Sequence, residues 1–167
     1  MKKTRAPWYN GKMELREYTE DDAEGTRSVF ARAVHVTAAR DYDPAQVRAW
    51  VGAADDPVTW HEARLSANTC VAVVEGQVVG FIDVDDAGYI DMLFVEPTRV
   101  RFGIATALLG WAKQRAKEVG AERMLTHASI TARPFFEAQG FISTEERHPV
   151  VRGVRFTNYL MEMPLGH

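Results

Sequence analysis

Residues 89–109 have the sequence YIDMLFVEPTRVRFGIATALL, in which an apolar run gives way to a proline, a basic turn and a helical pattern. The run 90–95, the organising strand, is short and rich in bulky apolar side chains, which is typical of a buried strand. It is predicted to end near Glu96, because Pro97 has no N–H to donate to a neighbouring strand. Apolar residues recur at helical spacing after Gly103, where a helix is predicted to begin.

The turn between this strand and this helix is a candidate anion site. The first N–H groups of a helix have no partner inside it and point ahead of it, at the positive end of its dipole. Gly103 lets a ligand approach the backbone closely, and Arg99 and Arg101 flank the turn. Phosphate is the usual occupant of such a site, although an ordinary connection with solvated arginines is the alternative. The turn matches neither G-x-x-x-x-G-K-[ST] nor G-x-G-x-x-G, which argues against nucleotide hydrolysis and dinucleotide binding.

Two blocks of the sequence carry a resemblance to a known family. The first is Val95-x-Pro97 followed by RFGIATALL at 101–109, and the second is ASITARPFFEAQGF at 128–141. They resemble the acetyl-CoA motif and the later helix of the GNAT N-acetyltransferase superfamily, and they occur in the family's order. The resemblance covers roughly residues 13–163.

The resemblance implies the GNAT acyl-CoA N-acyltransferase fold, of α/β (α+β) class. This fold has a mixed, mostly antiparallel central sheet of about six to seven strands, with a parallel splayed pair and flanking helices. Acetyl-CoA is the implied cofactor, with pantetheine lying between the organising strand and a strand predicted at 123–128. The resemblance implies that the following residues bind this cofactor: Leu93, Phe94, Val95, Val100, Arg101, Phe102, Gly103, Ile104, Ala105, Thr106, Ser129 and Phe136.

The sequence departs from the family pattern at two of these positions. Val100 stands where the family usually has Arg or Gln, at a position that contributes mainly a backbone N–H. Phe136 stands where many members carry a tyrosine that gives a proton to the departing thiolate. The usual general acid is therefore absent at position 136, while binding of the pyrophosphate is expected to remain.

Three residues are candidates for moving the proton that an attacking amine must lose. Tyr89 and Asp91 should share one face of the organising strand with Leu93 and Val95, because strand side chains alternate. Tyr89 falls where many GNAT members carry a glutamate, and Asp91 could hold the incoming ammonium. His127, near the end of the facing strand, is the alternative, since its pKa suits proton transfer near neutral pH. A purely structural hydrogen-bonding role for Tyr89 or His127 also stays open.

The acceptor pocket is expected to come from the helices predicted in the N-terminal half. Polar aromatic residues concentrate there, and His35, Tyr42 and Trp50 are the candidate acceptor-binding residues. As a group they favour a compact, partly aromatic acceptor, although each could also serve in the core or on the surface. No metal site is predicted, because the spacing of His35, Asp41 and His61 matches no ligand motif.

The rest of the chain gives a domain organisation. Residues 1–12 have no period and are predicted to be a loose tail, while 13–167 form a single domain. The turn Glu75-Gly76-Gln77 predicts a hairpin. Runs at 141–147 and 154–163 predict a closing antiparallel pair around a turn at Arg152-Gly153.

Composition limits the partners. A net charge of −3 and a pI near 6.0 give no electrostatic case for binding nucleic acid or an anionic membrane. The single cysteine, Cys70, excludes a disulfide within the chain. The sequence holds neither an apolar run of ~18 residues nor a secretory signal, which predicts a cytoplasmic protein. The expected oligomeric state is a monomer or a homodimer.

The sequence thus predicts an enzyme that transfers acetyl from acetyl-CoA directly to a primary amine of a small molecule or a peptide terminus. The alternative is a non-catalytic acyl-CoA-binding or sensor protein on the same fold. Phe136 favours that alternative, because a scaffold without its proton donor could bind the cofactor without turnover.

Overall fold

The computed structural model describes residues 12–166, so the predicted tail lies almost entirely outside the described residues. The described chain contains both helices and strands, in agreement with the predicted α/β (α+β) class. The helices are α1 (Ala23–Arg32), α2 (Pro44–Val51), α3 (Pro57–Ser66), α4 (Ile104–Glu118) and α5 (Arg133–Ala138). The strands are β1 (Met13–Glu17), β2 (Thr69–Val74), β3 (Gln77–Asp83), β4 (Tyr89–Ile90), β5 (Leu93–Val95), β6 (Arg123–Ser129), β7 (Ile142–Arg147), β8 (Val150–Val151), β9 (Val154–Arg155) and β10 (Asn158–Pro164).

Local capping chemistry fixes where the N-terminal helical segments start. Thr19 and Asp22 form a capping box, in which the Thr19 backbone N–H donates to Asp22 Oδ2 at 2.8 Å. Asp43 caps α2 by accepting from the backbone N–H of Gln46 at 2.8 Å, and Asp56 caps α3 in the same way. In both helices a proline follows the aspartate at the first helical position, where its missing N–H costs nothing.

The strands form two four-stranded sheets, with the orders β1-β2-β3-β5 and β4-β6-β10-β7. The first is antiparallel throughout, and its β2–β3 hairpin turns at Glu75 and Gly76, both with positive φ, as predicted. The second contains the parallel pair of β4 and β6, in which Tyr89 lies opposite Leu125. The predicted organising strand is therefore shared between the sheets, with its first part in one and its second part in the other.

The break between these two parts corrects one prediction. Asp91 and Met92 belong to no strand and have no register partner in either sheet, although the Met92 carbonyl accepts one bond from the Asp83 N–H of β3. Regular alternation is therefore lost between Ile90 and Leu93. Ile90, Leu93 and Val95 all pack into the same core, although Ile90 and Leu93 would point to opposite faces in an unbroken strand. The regular alternation on which the expected shared face of Tyr89, Asp91, Leu93 and Val95 rested is therefore interrupted at the break.

The core has two parts, one on each face of the strands. The first part lies on the side of the strands that faces α4 and contains residues such as Cys70, Ala72, Ile82, Leu108 and Met124. The second part lies between the first sheet and α1–α3 and contains Val71, Phe81, Val29, Phe30 and Trp60. Neighbouring residues of β2 enter opposite parts because side chains alternate along a strand. Burial raises the pKa of the Cys70 thiol to about 12, which fits a packing role.

The C-terminal strands correct a second prediction. The turn at Arg152 and Gly153 is present, but it joins the two-residue strands β8 and β9 instead of the closing pair. The strand β10 begins at Asn158, pairs with β7 as predicted, and also lies against β6. Its Met161 and Met163 are buried in the core. Contacts between residues distant in sequence therefore decide that β10 lies between β6 and β7.

Candidate active site

A cavity of about 570 Å³ opens between the organising strand, α4 and the end of β6. Ten of the twelve predicted cofactor-binding residues line it: Leu93, Phe94, Val95, Val100, Arg101, Gly103, Ile104, Ala105, Thr106 and Ser129. Its other lining residues include Arg40 and Arg99, which add positive charge. We call this space the cofactor cavity.

The N-terminus of α4 gives this cavity an anion site. Gly103 caps the helix in the left-handed conformation, with a φ of 83°, and no side chain caps it. Ala107 makes the first helical bond, to the Gly103 carbonyl at 3.0 Å, which leaves the N–H groups of the first turn for a ligand. A Cβ built at Gly103 would meet nothing within 4 Å, so the space beside this backbone is open. These N–H groups and the nearby arginines suit the phosphates of coenzyme A.

Two predicted cofactor residues lie elsewhere. Phe102 is 40% exposed and is not among the lining residues. Phe136 is buried, packs edge-on against Phe141 with ring centroids 5.0 Å apart, and lines a second cavity instead. Its neighbour Phe135 lines the cofactor cavity. Consecutive helix positions point about 100° apart, and sequence alone does not show which of two adjacent phenylalanines faces the ligand.

The second cavity, of about 310 Å³, lies beside the first and holds all three catalytic candidates, Tyr89, Asp91 and His127. We call it the acceptor cavity. Aromatic side chains form much of its wall: Tyr42, Trp50, Phe94, Phe136 and Phe156. Both cavities are lined by Trp50, Leu93, Phe94, Ser129 and Ala132, so these residues mark their junction.

A hydrogen bond joins two of the catalytic candidates. Tyr89 Oη lies 3.0 Å from His127 Nδ1, and the two rings meet at 67° with centroids 5.4 Å apart. Burial raises the pKa of Tyr89, while burial and the charge of Arg147 lower the pKa of His127. At neutral pH the phenol therefore keeps its proton and the imidazole is free to accept one. The pair is chemically suited to take a proton from a group in the acceptor cavity.

The third candidate, Asp91, lies at the break in the organising strand and is 57% exposed. One oxygen lies 3.8 Å from Nη2 of Arg64, which is only 3% exposed. The same guanidinium lies 3.1 Å from the buried Asp83, whose other oxygen lies 2.6 Å from the Thr69 hydroxyl. Burial raises the pKa of Asp83 to about 7, because desolvation outweighs the attraction of Arg64.

The raised pKa of Asp83 predicts a pH effect on stability. Below about pH 4, near the ordinary aspartate pKa, the carboxyl is protonated in both the folded and the unfolded chain. As the pH rises from there to about 7, only the unfolded chain releases the proton, so the free energy of unfolding falls. An Asp83→Asn variant should therefore gain stability relative to the wild type across this window. Urea unfolding of both proteins at about pH 5 and about pH 8 measures this, and an equal difference at both would contradict it.

The structure places the three predicted acceptor-binding residues in different surroundings. Trp50 lines both cavities. Tyr42 lines the acceptor cavity with its ring, but its hydroxyl accepts from the Ile130 N–H at 3.0 Å and donates to the Thr157 carbonyl at 2.8 Å. It therefore braces the N-terminal helices against the ends of β6 and β10. His35 is exposed and lines neither cavity, so the structure does not support its predicted place.

Several lining residues were missed by the sequence analysis. Met92, Val151, Phe156, Thr157 and Asn158 line the acceptor cavity. Their positions depend on the break in the organising strand and on the β8–β9 hairpin, neither of which was predicted as such. Only the aromatic character of Phe156 was a usable signal.

Two further classes of feature are absent from residues 12–166. No group of three or more His, Cys, Asp and Glu side chains there is arranged to hold a metal ion. No helix in that range is both long and apolar enough to cross a membrane.

Comparison with known proteins identifies the family of this chain. A family model described as an acetyltransferase (GNAT) domain matches residues 38–163. The uncharacterized N-acetyltransferase YafP of Escherichia coli is 37% identical over 155 residues, which cover 93% of this chain and 98% of YafP. A crystal structure of a GCN5-related N-acetyltransferase from Rhodopseudomonas palustris is similar with a TM-score of 0.89 at 30% identity, and the match covers 91% of this chain and 95% of that one.

A structure determined with coenzyme A shares the fold. The PaiA N-acetyltransferase of Thermoplasma acidophilum matches with a TM-score of 0.77 at 16% identity, over 91% of this chain and 98% of that one. The chain therefore belongs to the GNAT family and is an N-acetyltransferase that uses acetyl-CoA.

Proposed function

We propose that this enzyme transfers acetyl from acetyl-CoA directly to the primary amine of a compact, partly aromatic small molecule or of a peptide terminus. The observation that carries the proposal is the hydrogen-bonded pair of Tyr89 and His127, which lines the acceptor cavity. That cavity shares lining residues with the cofactor cavity, so an amine bound there would be close to the thioester. Proximity of this kind removes much of the barrier to an acyl transfer.

The cofactor cavity offers a place for each end of acetyl-CoA. The N-terminus of α4, from Gly103 to Thr106, would hold the pyrophosphate, with Arg101 beside it. The pantetheine would follow Leu93–Val95 toward the junction. Backbone N–H groups near the break in the organising strand would stabilise the negative charge that develops on the acyl oxygen.

The Tyr89–His127 pair gives the amine a route for its proton. An attacking amine forms an N–C bond as the C–S bond breaks, and it must release one N–H proton. Tyr89 would take that proton on Oη while its own proton moves to Nδ1 of His127, 3.0 Å away. Asp91 would hold the substrate as an ammonium, which loses one proton to solvent to free the nitrogen lone pair; the relay then takes the second proton during the attack. The raised pKa of Tyr89 makes the phenol a poor base on its own, so both members of the pair are needed.

The departing sulfur needs a hydrogen-bond donor, and Phe136 offers none. Ser129 carries a hydroxyl at the junction of the two cavities. Its oxygen accepts from the Ala132 N–H at 3.0 Å, which leaves its own O–H to donate. We therefore assign the stabilisation of the thiolate to Ser129.

The walls of the acceptor cavity support the proposed substrate class. Trp50, Phe94 and Phe156 surround it with aromatic rings, which favour an apolar or aromatic body. The exposed carboxylate of Asp91 favours a cationic head. A cavity of about 310 Å³ is at the small end for ligand sites and suits a compact acceptor.

An amine panel tests the proposal directly. The purified protein is incubated with acetyl-CoA and one amine at a time: arylalkylamines, aliphatic diamines, amino acids and short peptides with free N-termini. We expect thiol release and an acetylated product, identified by mass, with aromatic primary amines as the best acceptors. Cofactor binding without thiol release for any amine would instead support the non-catalytic acyl-CoA-binding alternative.

A further inference from the structure

We propose that Arg64 is a positioning residue of the acceptor site, which holds the break in the organising strand, and Asp91 with it, in the geometry that receives the amine. Arg64 itself lines neither cavity. The inference rests on the proposed function in one respect, since it takes Asp91 as the group that binds the substrate ammonium.

One buried cation reaches both residues of the break. Nη2 of Arg64 lies 3.8 Å from Asp91, and Nη1 contacts the sulfur of Met92. Asp91 and Met92 both line the acceptor cavity. Behind them, the guanidinium lies over the Trp60 ring, with its carbon 4.6 Å from the ring centroid. The guanidinium of Arg64, on α3, is therefore held beside Asp91 and Met92, where the organising strand is interrupted.

The break needs such a support because its own backbone is poorly paired. Asp91 and Met92 lie between the strands β4 and β5, and the Met92 carbonyl accepts one bond, from the Asp83 N–H at 3.0 Å. Residues that leave a ladder depend on side-chain contacts to fix their conformation. Arg64 supplies such contacts from α3, and Asp83 on β3 holds the Arg64 guanidinium at 3.1 Å.

The charges around Arg64 also indicate that it acts on Asp91. Asp83 has a raised pKa and its Oδ2 makes no hydrogen bond, although it lies 3.1 Å from Arg64. Asp83 therefore neutralises the buried guanidinium only in part near neutral pH. Asp91 is the second carboxylate within ion-pair distance, so the remaining attraction acts on the residue at the acceptor cavity. A buried ion pair of this kind adds little stability over apolar packing, which favours a role in positioning.

A double-mutant cycle separates positioning from a purely structural role. The variants are Arg64→Met, Asp91→Asn and the pair, and the probe is 2-phenylethylamine, a primary amine on an aromatic body. We expect each single change to raise the KM for the amine on the order of tenfold, with the KM for acetyl-CoA unchanged. The double variant should be no worse than Asp91→Asn alone, because Arg64 acts through Asp91.

Control variants and a second readout keep the result decisive. Arg123→Met removes an exposed arginine paired with Glu162 and should change neither KM. If Arg64→Met does not fold, Arg64→Lys takes its place in the cycle, since lysine keeps the charge but loses the fork that reaches two partners. When turnover is too slow to measure, the Kd of the amine for the coenzyme A complex replaces its KM.

Three outcomes would overturn the inference. In the first, Arg64→Met leaves the KM for the amine unchanged; in the second, its effect adds fully to that of Asp91→Asn, which would mark Arg64 as structural only. Either result would leave the proposed function standing. In the third, the wild-type protein neither acetylates nor binds the probe, and the inference then fails together with the proposed aromatic acceptor class.

Discussion

A Gly103→Asp variant should lose the rise in melting temperature that coenzyme A gives the wild-type protein. The new carboxylate would stand at the N-terminus of α4, where the pyrophosphate needs free N–H groups and a positive field. Losing hydrogen bonds to a charged group and adding repulsion should weaken coenzyme A binding by ~10²-fold or more. At a ligand concentration of 100 times the wild-type Kd, stabilisation would fall from about 2.7 to about 0.4 kcal/mol. Thermal melting with and without coenzyme A measures both values.

Two matched variants identify the cause of such a loss. Gly103→Ala places a Cβ at the same φ of 83°, so it carries the same backbone strain without the charge and should keep most of the shift. Gly110→Asp adds the same charge to an open, exposed position of α4, away from the cofactor cavity, and should keep all of it. If Gly103→Asp keeps the full shift, the pyrophosphate binds elsewhere.

Features set by neighbouring residues could be predicted from the sequence. Asp43 and Asp56 start helices because an aspartate before a proline caps the chain within a few residues. Glu75 and Gly76 make their hairpin turn through their own positive φ. The candidate anion site at the start of α4 belongs to this class, since Gly103 and the first turn of the helix are adjacent in sequence.

Features set by distant contacts could not be predicted. The break at Asp91 depends on Arg64, which lies 27 positions earlier in the chain and reads in the sequence as an ordinary helix residue. Tyr42 was expected to bind the acceptor, but its hydroxyl bonds Ile130 and Thr157, which lie far along the chain from it. His35 was chosen for its chemistry alone, and nothing in its local sequence indicates that it faces solvent.

The proposed relay between Tyr89 and His127 joins two residues that the sequence presented as alternatives. Their positions on β4 and β6 follow from the parallel pairing of these strands, which the resemblance implied. Their direct bond depends on side-chain directions that alternation alone does not fix. The structure shows that the two candidates are joined by one hydrogen bond, and the proposal that they act together rests on this bond.

A Tyr89→Phe variant should lower kcat/KM for an amine acceptor by ~10²-fold, the low end for acid–base groups, with the affinity for coenzyme A unchanged. The phenyl ring keeps its contact with His127, so only the hydroxyl bridge is lost. His127→Ala should cost about as much, and the double variant should be little worse than either, because residues that act as one unit are not additive. Tyr159→Phe, which removes a hydroxyl that bonds Glu146 and lines neither cavity, is the matched control.

Steady-state kinetics with the best acceptor of the amine panel show whether the proton leaves through Tyr89 on β4 or through His127 on β6. If Tyr89→Phe and Asp91→Asn both retain wild-type rates while His127→Ala does not, the proton leaves through β6 alone and Tyr89 only orients the imidazole. If the effects of Tyr89→Phe and His127→Ala multiply in the double variant, the two residues act separately. In that case the bond of 3.0 Å between them does not carry the proton.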